Sequence, residues 1–173
     1  MINDYILRSI IYGGIDGIIT MFNIISGITG AKLNYKYIFI IGLAVLISDG
    51  MSMGISDYLS LNADIKLKQK NKQNNLIDEI KPVKNGIITF ISFIIFGFIP
   101  IILYFVFNNT KKNKYIKLII SVTISLFLLG SVQSKYTKES WIYTGTRLSI
   151  FGITTASIAF FISKKIMKLL KNN

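Results

Sequence analysis

Two carboxylates stand inside a run of this chain apolar enough to cross a bilayer. The stretch Ile47–Ser60 carries Asp49 and Asp57 together with the thioethers of Met51 and Met53. An ionised Asp near the centre of a membrane helix costs roughly 2.5–3.5 kcal/mol on insertion scales. Two of them call for a compensating partner: a cation, a proton or another helix. Asp49, Met53, Ser56 and Ser60 step by four, three and four, so they share one helical face. Asp57 sits beside Ser56, and Ser52 beside Met53. An earlier stretch repeats the device: Asp16, Thr20, Asn23 and Gly27 step by four, three and four, while the opposite face is Ile, Met and Phe. A Met stripe by itself is more often core filler than ligand. Carboxylates at the same face bring the ligand reading level with it.

The chemistry open to these residues is bounded by what is missing. There is no Cys and no His among the 173 residues. A disulfide framework, a thiolate metal site and the usual proton shuttle are therefore ruled out. Metal or proton chemistry must use Asp, Met, Asn, Ser, Thr and backbone carbonyls. No nucleophile is paired with a base in the apolar runs and no Glu lies in them, so an enzyme is not expected. No permanently bound cofactor is expected either. The net charge of +12 reads as loop lysines that solubilise and anchor helix ends. Nucleic acid is not an expected partner, because no basic stripe is interleaved with exposed aromatics.

The elements that must position these residues follow from the segregation of charge. Hydrophobic residues make up 51% of the chain and charged residues 16%, and the two classes hardly mix. Ser9–Ala31 carries only Asp16, Tyr37–Ala63 only Asp49 and Asp57, and Ser140–Ser163 only Arg147. Asn85–Thr110 and Leu118–Ser134 carry no charge at all. A span needs about 20 mainly apolar residues, so five helices fit, over about 8–31, 37–61, 85–107, 116–134 and 140–167. The expectation is one all-α membrane domain, residues 1–173, in contact with lipid. Residues 62–85 form its longest loop, short and rich in lysine. The first span is too long for a signal-peptide core and reads as uncleaved. Gly13 and Gly17 make a small-xxx-small step that lets another backbone approach. Pro100 should kink the third helix. Trp141 and Tyr143 suit a membrane interface. Lysines and arginines divide equally between the two sides, so charge alone does not orient the chain.

Taken in order, the pieces resemble the vacuolar iron transporter family, which includes fungal vacuolar iron/manganese importers and plant nodulin-like relatives. Arg8 followed by Tyr12-Gly13-Gly14-Ile15-Asp16-Gly17 resembles its first-helix signature, and Gly27-Ile28-Thr29-Gly30-Ala31 resembles the end of that helix. Ser52-Met53-Gly54 with Asp57-Tyr58-Leu59-Ser60 is similar to the Ser-Met-Gly signature of helix 2. Gly97 and Pro100, Leu126–Gly130, and Trp141, Gly145, Gly152 and Ala156 match the later helices. The resemblance implies a five-helix protomer that forms a homodimer. The ion path then lies between the copies, lined by helices 1 and 2, and Fe²⁺ or Mn²⁺ leaves the cytosol in exchange for protons. It maps the family's intramembrane Asp onto Asp16 and its metal-binding Met onto Met53, and it places the N-terminus and the 62–85 loop in the cytosol. The membrane would be vacuole-like or another endomembrane in a eukaryote, and the plasma membrane in a prokaryote.

Two departures shape the expectation. The family's characterised iron transporters carry a Glu-rich metal-gathering extension between helices 2 and 3, whereas here that segment is short and lysine-rich. The family's Glu two turns before the helix 2 Met is Val45 here, and we read Asp49 as its substitute. The expected metal ligands are Asp16, Met53 and Asp49, with Thr20, Asn23, Ser52, Ser56 and Asp57 lining the path and Asp57 marking its cytosolic mouth. Hard carboxylates with one soft thioether suit Fe²⁺ or Mn²⁺ better than Mg²⁺ or Ca²⁺. Carboxylates crowded about a dimer axis would let protons compete with metal. The alternative is a non-transporting or degenerate scaffold of the same fold, which the short lysine loop and Val45 favour.

Overall fold

The computed structural model describes residues 4–70, 81–107 and 113–172. These form five helices: α1 (Asp4–Gly30), α2 (Lys36–Lys70), α3 (Pro82–Val106), α4 (Lys114–Thr137) and α5 (Trp141–Asn172). Each is long and apolar enough to cross a membrane. Successive helices run antiparallel, so the start of α1, the end of α2 and the start of α3 share one end of the bundle. The end of α1, the start of α4 and the end of α5 share the other.

α1 is the centre of the bundle and touches all four other helices. One side of it packs Ile18, Phe22, Ile25 and Ile28 against Leu118, Val122 and Leu126 of α4 and Ala156 of α5. Another side packs Met21 against Leu46 of α2 and against Phe93 and Ile101 of α3. Small residues set the closest approaches. A Cβ at Gly17 would collide with the Phe93 carbonyl of α3, so α1 and α3 meet backbone to backbone over the expected Gly13–Gly17 step. Gly54 of α2 and Gly86 of α3 face each other in the same way.

The outer faces are apolar. Ile40, Ile47, Ile95, Ile102, Ile124, Leu128 and Phe161 are exposed, as side chains that face lipid must be. Trp141 and Tyr143 are exposed at the start of α5, and Tyr35 and Tyr37 at the start of α2, where amphipathic rings suit the headgroup level. α3 continues through Pro100, which is buried. With no N–H on Pro100, the carbonyl of Phe96 one turn earlier loses its partner.

α2 differs from the sequence expectation at its end. It continues beyond residue 61 to Lys70, into the segment read as loop. Ala63, Leu67 and the lysines are good helix formers, and the extension has something to lean on. Leu61 is buried, and Lys68 Nζ donates to the Tyr5 hydroxyl at 3.2 Å. α1 correspondingly begins at Asp4, earlier than expected, with a carboxylate in its first turn opposing the helix dipole. Residues 71–80 of the expected loop lie outside the described residues.

α1 ends in a Schellman motif. The Leu33 N–H donates to the Ile28 carbonyl at 3.0 Å and the Lys32 N–H to the Thr29 carbonyl at 3.1 Å. Lys32 occupies the position where glycine is usual, with φ of 55°. A left-handed residue with a Cβ costs roughly 1–2 kcal/mol, and the two capped carbonyls offset part of that.

Candidate ion-path site

The polar stripes of α1 and α2 lie next to each other. Asp16 is half-buried on α1 and Asp49 is exposed on α2. Ser52 and Ser56 are exposed on α2, and Thr20 and Asn23 are half-buried on α1. Among the described residues, no three acidic side chains gather into a group able to hold a metal ion. A single copy therefore presents its donors along an open face, not in a closed cage.

Met53 has two surroundings. Part of it packs against the cluster of Met21, Leu46, Phe93 and Ile101. It also lines a cleft of about 240 Å³ together with Arg8, Ser9, Tyr12, Ser56, Asp57, Ser60 and Thr89. Met53 thus belongs both to the packed core and to the wall of a polar cleft. A flexible thioether can fill a gap on one side and face a polar cleft on the other.

Asp57 is the most constrained polar group of the cleft. Its Oδ2 accepts hydrogen bonds from Ser9 Oγ of α1 at 2.7 Å and from Thr89 Oγ1 of α3 at 2.6 Å. One carboxylate thereby ties three helices together beside Met53. The Arg8 guanidinium lies 6.0 Å from the centre of the Tyr12 ring at the rim.

Asn23 lies elsewhere. It lines a separate cleft of about 400 Å³ toward the opposite end of the bundle, with Gly27, Leu33, Ile41, Ala159 and Ser163. Its Oδ1 is buried and has no hydrogen-bond donor among the described residues. An acceptor left in this state costs about 1–3 kcal/mol.

The structure thus joins Met53, Ser56 and Asp57 in one cleft, which neither Asp16 nor Asp49 lines. Asn23 lies in another. Sequence reasoning did not single out Ser9 or Thr89. Ser9 lies seven residues before Asp16 and continues the same α1 stripe, a signal that could have found it. Thr89 belongs to a polar stripe of α3, where Asn85, Thr89 and Ser92 step by four and three and are all buried, a signal that could likewise have found it.

Comparison with known proteins bears on this arrangement. The profile described as "VIT family" matches residues 7–76 and 65–164. The chain is 26% identical to a "Vacuolar iron transporter" of Plasmodium falciparum, over 96% of this chain and 83% of the relative. It is 22% identical to "Vacuolar iron transporter homolog 2" of Arabidopsis thaliana, over 92% of this chain and 84% of that relative. The Plasmodium alignment runs over 230 positions and the Arabidopsis one over 165. The former therefore carries several dozen residues that this chain lacks. The two pieces of the family match overlap at 65–76, which puts a break in the match between α2 and α3. A multi-pass membrane protein of five helices, matched over most of its length, the chain belongs to the VIT family.

Proposed function

We propose that the protein moves a divalent transition metal, Fe²⁺ or Mn²⁺, across its membrane in exchange for protons, by a path between two copies of the chain. The observation that carries this reading is the open polar face of α2. Asp49, Ser52 and Ser56 are exposed on a helix that spans the membrane, beside half-buried Asp16 and Met53. A charged face cannot be left against hydrocarbon. A second copy related by a two-fold axis would cover it and double the donor set to two Asp16, two Asp49 and two Met53.

Asp16, Asp49 and Met53 are the ligands of this proposal. Carboxylate oxygens hold the cation, and the thioether favours a transition metal over Mg²⁺ or Ca²⁺. Thr20, Asn23, Ser52, Ser56 and Asp57 line the route. The same carboxylates bind either protons or metal, so the two compete for one site, which is the minimum that exchange requires. The metal is substrate and not a resident cofactor. By analogy with the Plasmodium relatives named vacuolar iron transporter, export from the cytosol into a vacuole-like compartment is the direction proposed.

A scaffold that no longer transports is the second reading. The break in the family match near residues 65–76 favours it, because a metal-gathering segment between α2 and α3 would have to lie there. Uptake of Fe²⁺ and Mn²⁺ into proteoliposomes under an imposed pH gradient decides between them. Metal accumulation that follows the gradient, and is lost in Asp16→Ala and Met53→Ala, supports transport. Uptake by the wild type no greater than by the double variant leaves the scaffold.

A further inference from the structure

The end of the bundle where α1 stops and α5 finishes is uniformly basic. The described residues that form it, 29–40, 104–107, 113–117 and 160–172, contain lysines and neither Asp nor Glu. Four of these lysines converge. Lys32 follows the α1 cap, and Lys164, Lys168 and Lys171 lie on one face of α5. Together with Gly30, Ala31 and Met167 they line a cavity of about 250 Å³. The convergence is built into the packing. Gly30 sits against the backbone of Phe160, where a Cβ would not fit, so the Schellman turn carries Lys32 directly across from α5. None of the four has a carboxylate within ion-pair distance among the described residues, where the one salt bridge joins Arg147 and Glu139 at the other end.

Four like charges around one cavity repel one another, and neighbours inside a Debye length of about 8 Å are not fully screened by physiological salt. Each ammonium is a compact charge with three donors on a flexible stem. A group that carries more than one negative charge and several acceptor oxygens in a small volume answers all four. A single carboxylate has too few oxygens and too little charge. We propose that this cavity binds a phosphate group, supplied either by an anionic lipid headgroup or by a soluble oligophosphate. The proposal stands on the residues of this end alone and does not depend on what crosses the bundle. It bears on the path nonetheless. The Asn23 cleft adjoins the cavity, since Ala31 lines both and Ser163 of the one precedes Lys164 of the other. With a phosphate group in place, a cation at Asn23 would meet a less positive mouth instead of four bare ammonium groups.

The test uses the full chain purified in an uncharged, phosphate-free detergent. Inorganic pyrophosphate is titrated by calorimetry at an ionic strength held constant with chloride. In parallel, phosphatidate retained from phosphatidylcholine nanodiscs with and without phosphatidic acid is counted by native mass spectrometry. Saturable binding of at least one probe is expected. Lys164→Gln and Lys168→Gln should each weaken it about tenfold, the loss of one charge-assisted hydrogen bond. Lys165→Gln removes the same charge from the same helix outside the cavity and should leave binding unchanged. Pyrophosphate binding identifies a soluble source, and phosphatidate retention alone identifies a headgroup; both support the site. Saturable binding of neither probe, or equal weakening by Lys165→Gln, overturns it.

Discussion

The hydroxyl of Thr89 on α3 donates a 2.6 Å hydrogen bond to Oδ2 of Asp57 on α2. The same oxygen accepts the Ser9 hydroxyl of α1 at 2.7 Å. Asp57 is therefore a three-helix tie in the wall of the Met53 cleft, beyond simply marking its mouth. Ser9 and Thr89 are each only 2% exposed, so both hydroxyls depend on a partner inside the bundle. Asp57→Ala should strand two buried hydroxyls at about 1–3 kcal/mol each. Asp57→Asn keeps an oxygen acceptor and should cost less. Thermal melting in detergent will rank wild type above Asp57→Asn and Asp57→Ala lowest.

The backbone contact of α1 with α3 makes a second prediction. Gly17→Ala places a Cβ against the Phe93 carbonyl, and neither backbone can yield without parting the helices. The expected cost is about 1–3 kcal/mol of overpacking, read as a lower melting temperature and poorer yield of folded protein. Gly27→Ala is the control. Its nearest neighbour is the Ser163 hydroxyl at 3.1 Å, which can rotate away, so that variant should melt close to wild type.

The proposed pairing of two copies through α2 can be tested without background, because the chain has no Cys. Ser52 is exposed on the face that pairing would cover. Ser52→Cys should form an oxidised dimer in membranes. Ile124→Cys, on an exposed face of α4, should remain monomeric on a denaturing gel under the same oxidation. Equal cross-linking of both variants, or of neither, would count against a symmetric interface through α2.

Met53 should influence which metal is moved. Met53→Leu preserves most of the volume packed against Met21 and Phe93 while removing the sulfur. Fold and melting should change little. Transport of Fe²⁺ should fall more than that of Mn²⁺, since the softer ion gains more from a thioether. A competition assay in proteoliposomes reads the ratio directly. A ratio equal to that of wild type would reduce Met53 to packing.

Five spans and the close helix approach at Gly13 and Gly17 were legible from the sequence. Hydrophobic length and helical period are local properties that report directly on a bilayer and on a shared face. The stop of α2 was not legible. The helix runs on to Lys70 because Lys68 meets Tyr5, a partner more than sixty residues away. The partners of Asp57 were hidden for the same reason, since Ser9 and Thr89 join it only once three helices have packed. The stripe Asp16-Thr20-Asn23 looked like one continuous wall, yet the fold sets Asn23 in a separate cleft shared with α5. The convergence of Lys32 with Lys164, Lys168 and Lys171 likewise needs Gly30 seated on Phe160. Composition and period determined that this chain crosses a membrane with carboxylates inside it. Close contact between helices distant in sequence decided which of those carboxylates is tied down, which remains open, and where the lysines meet.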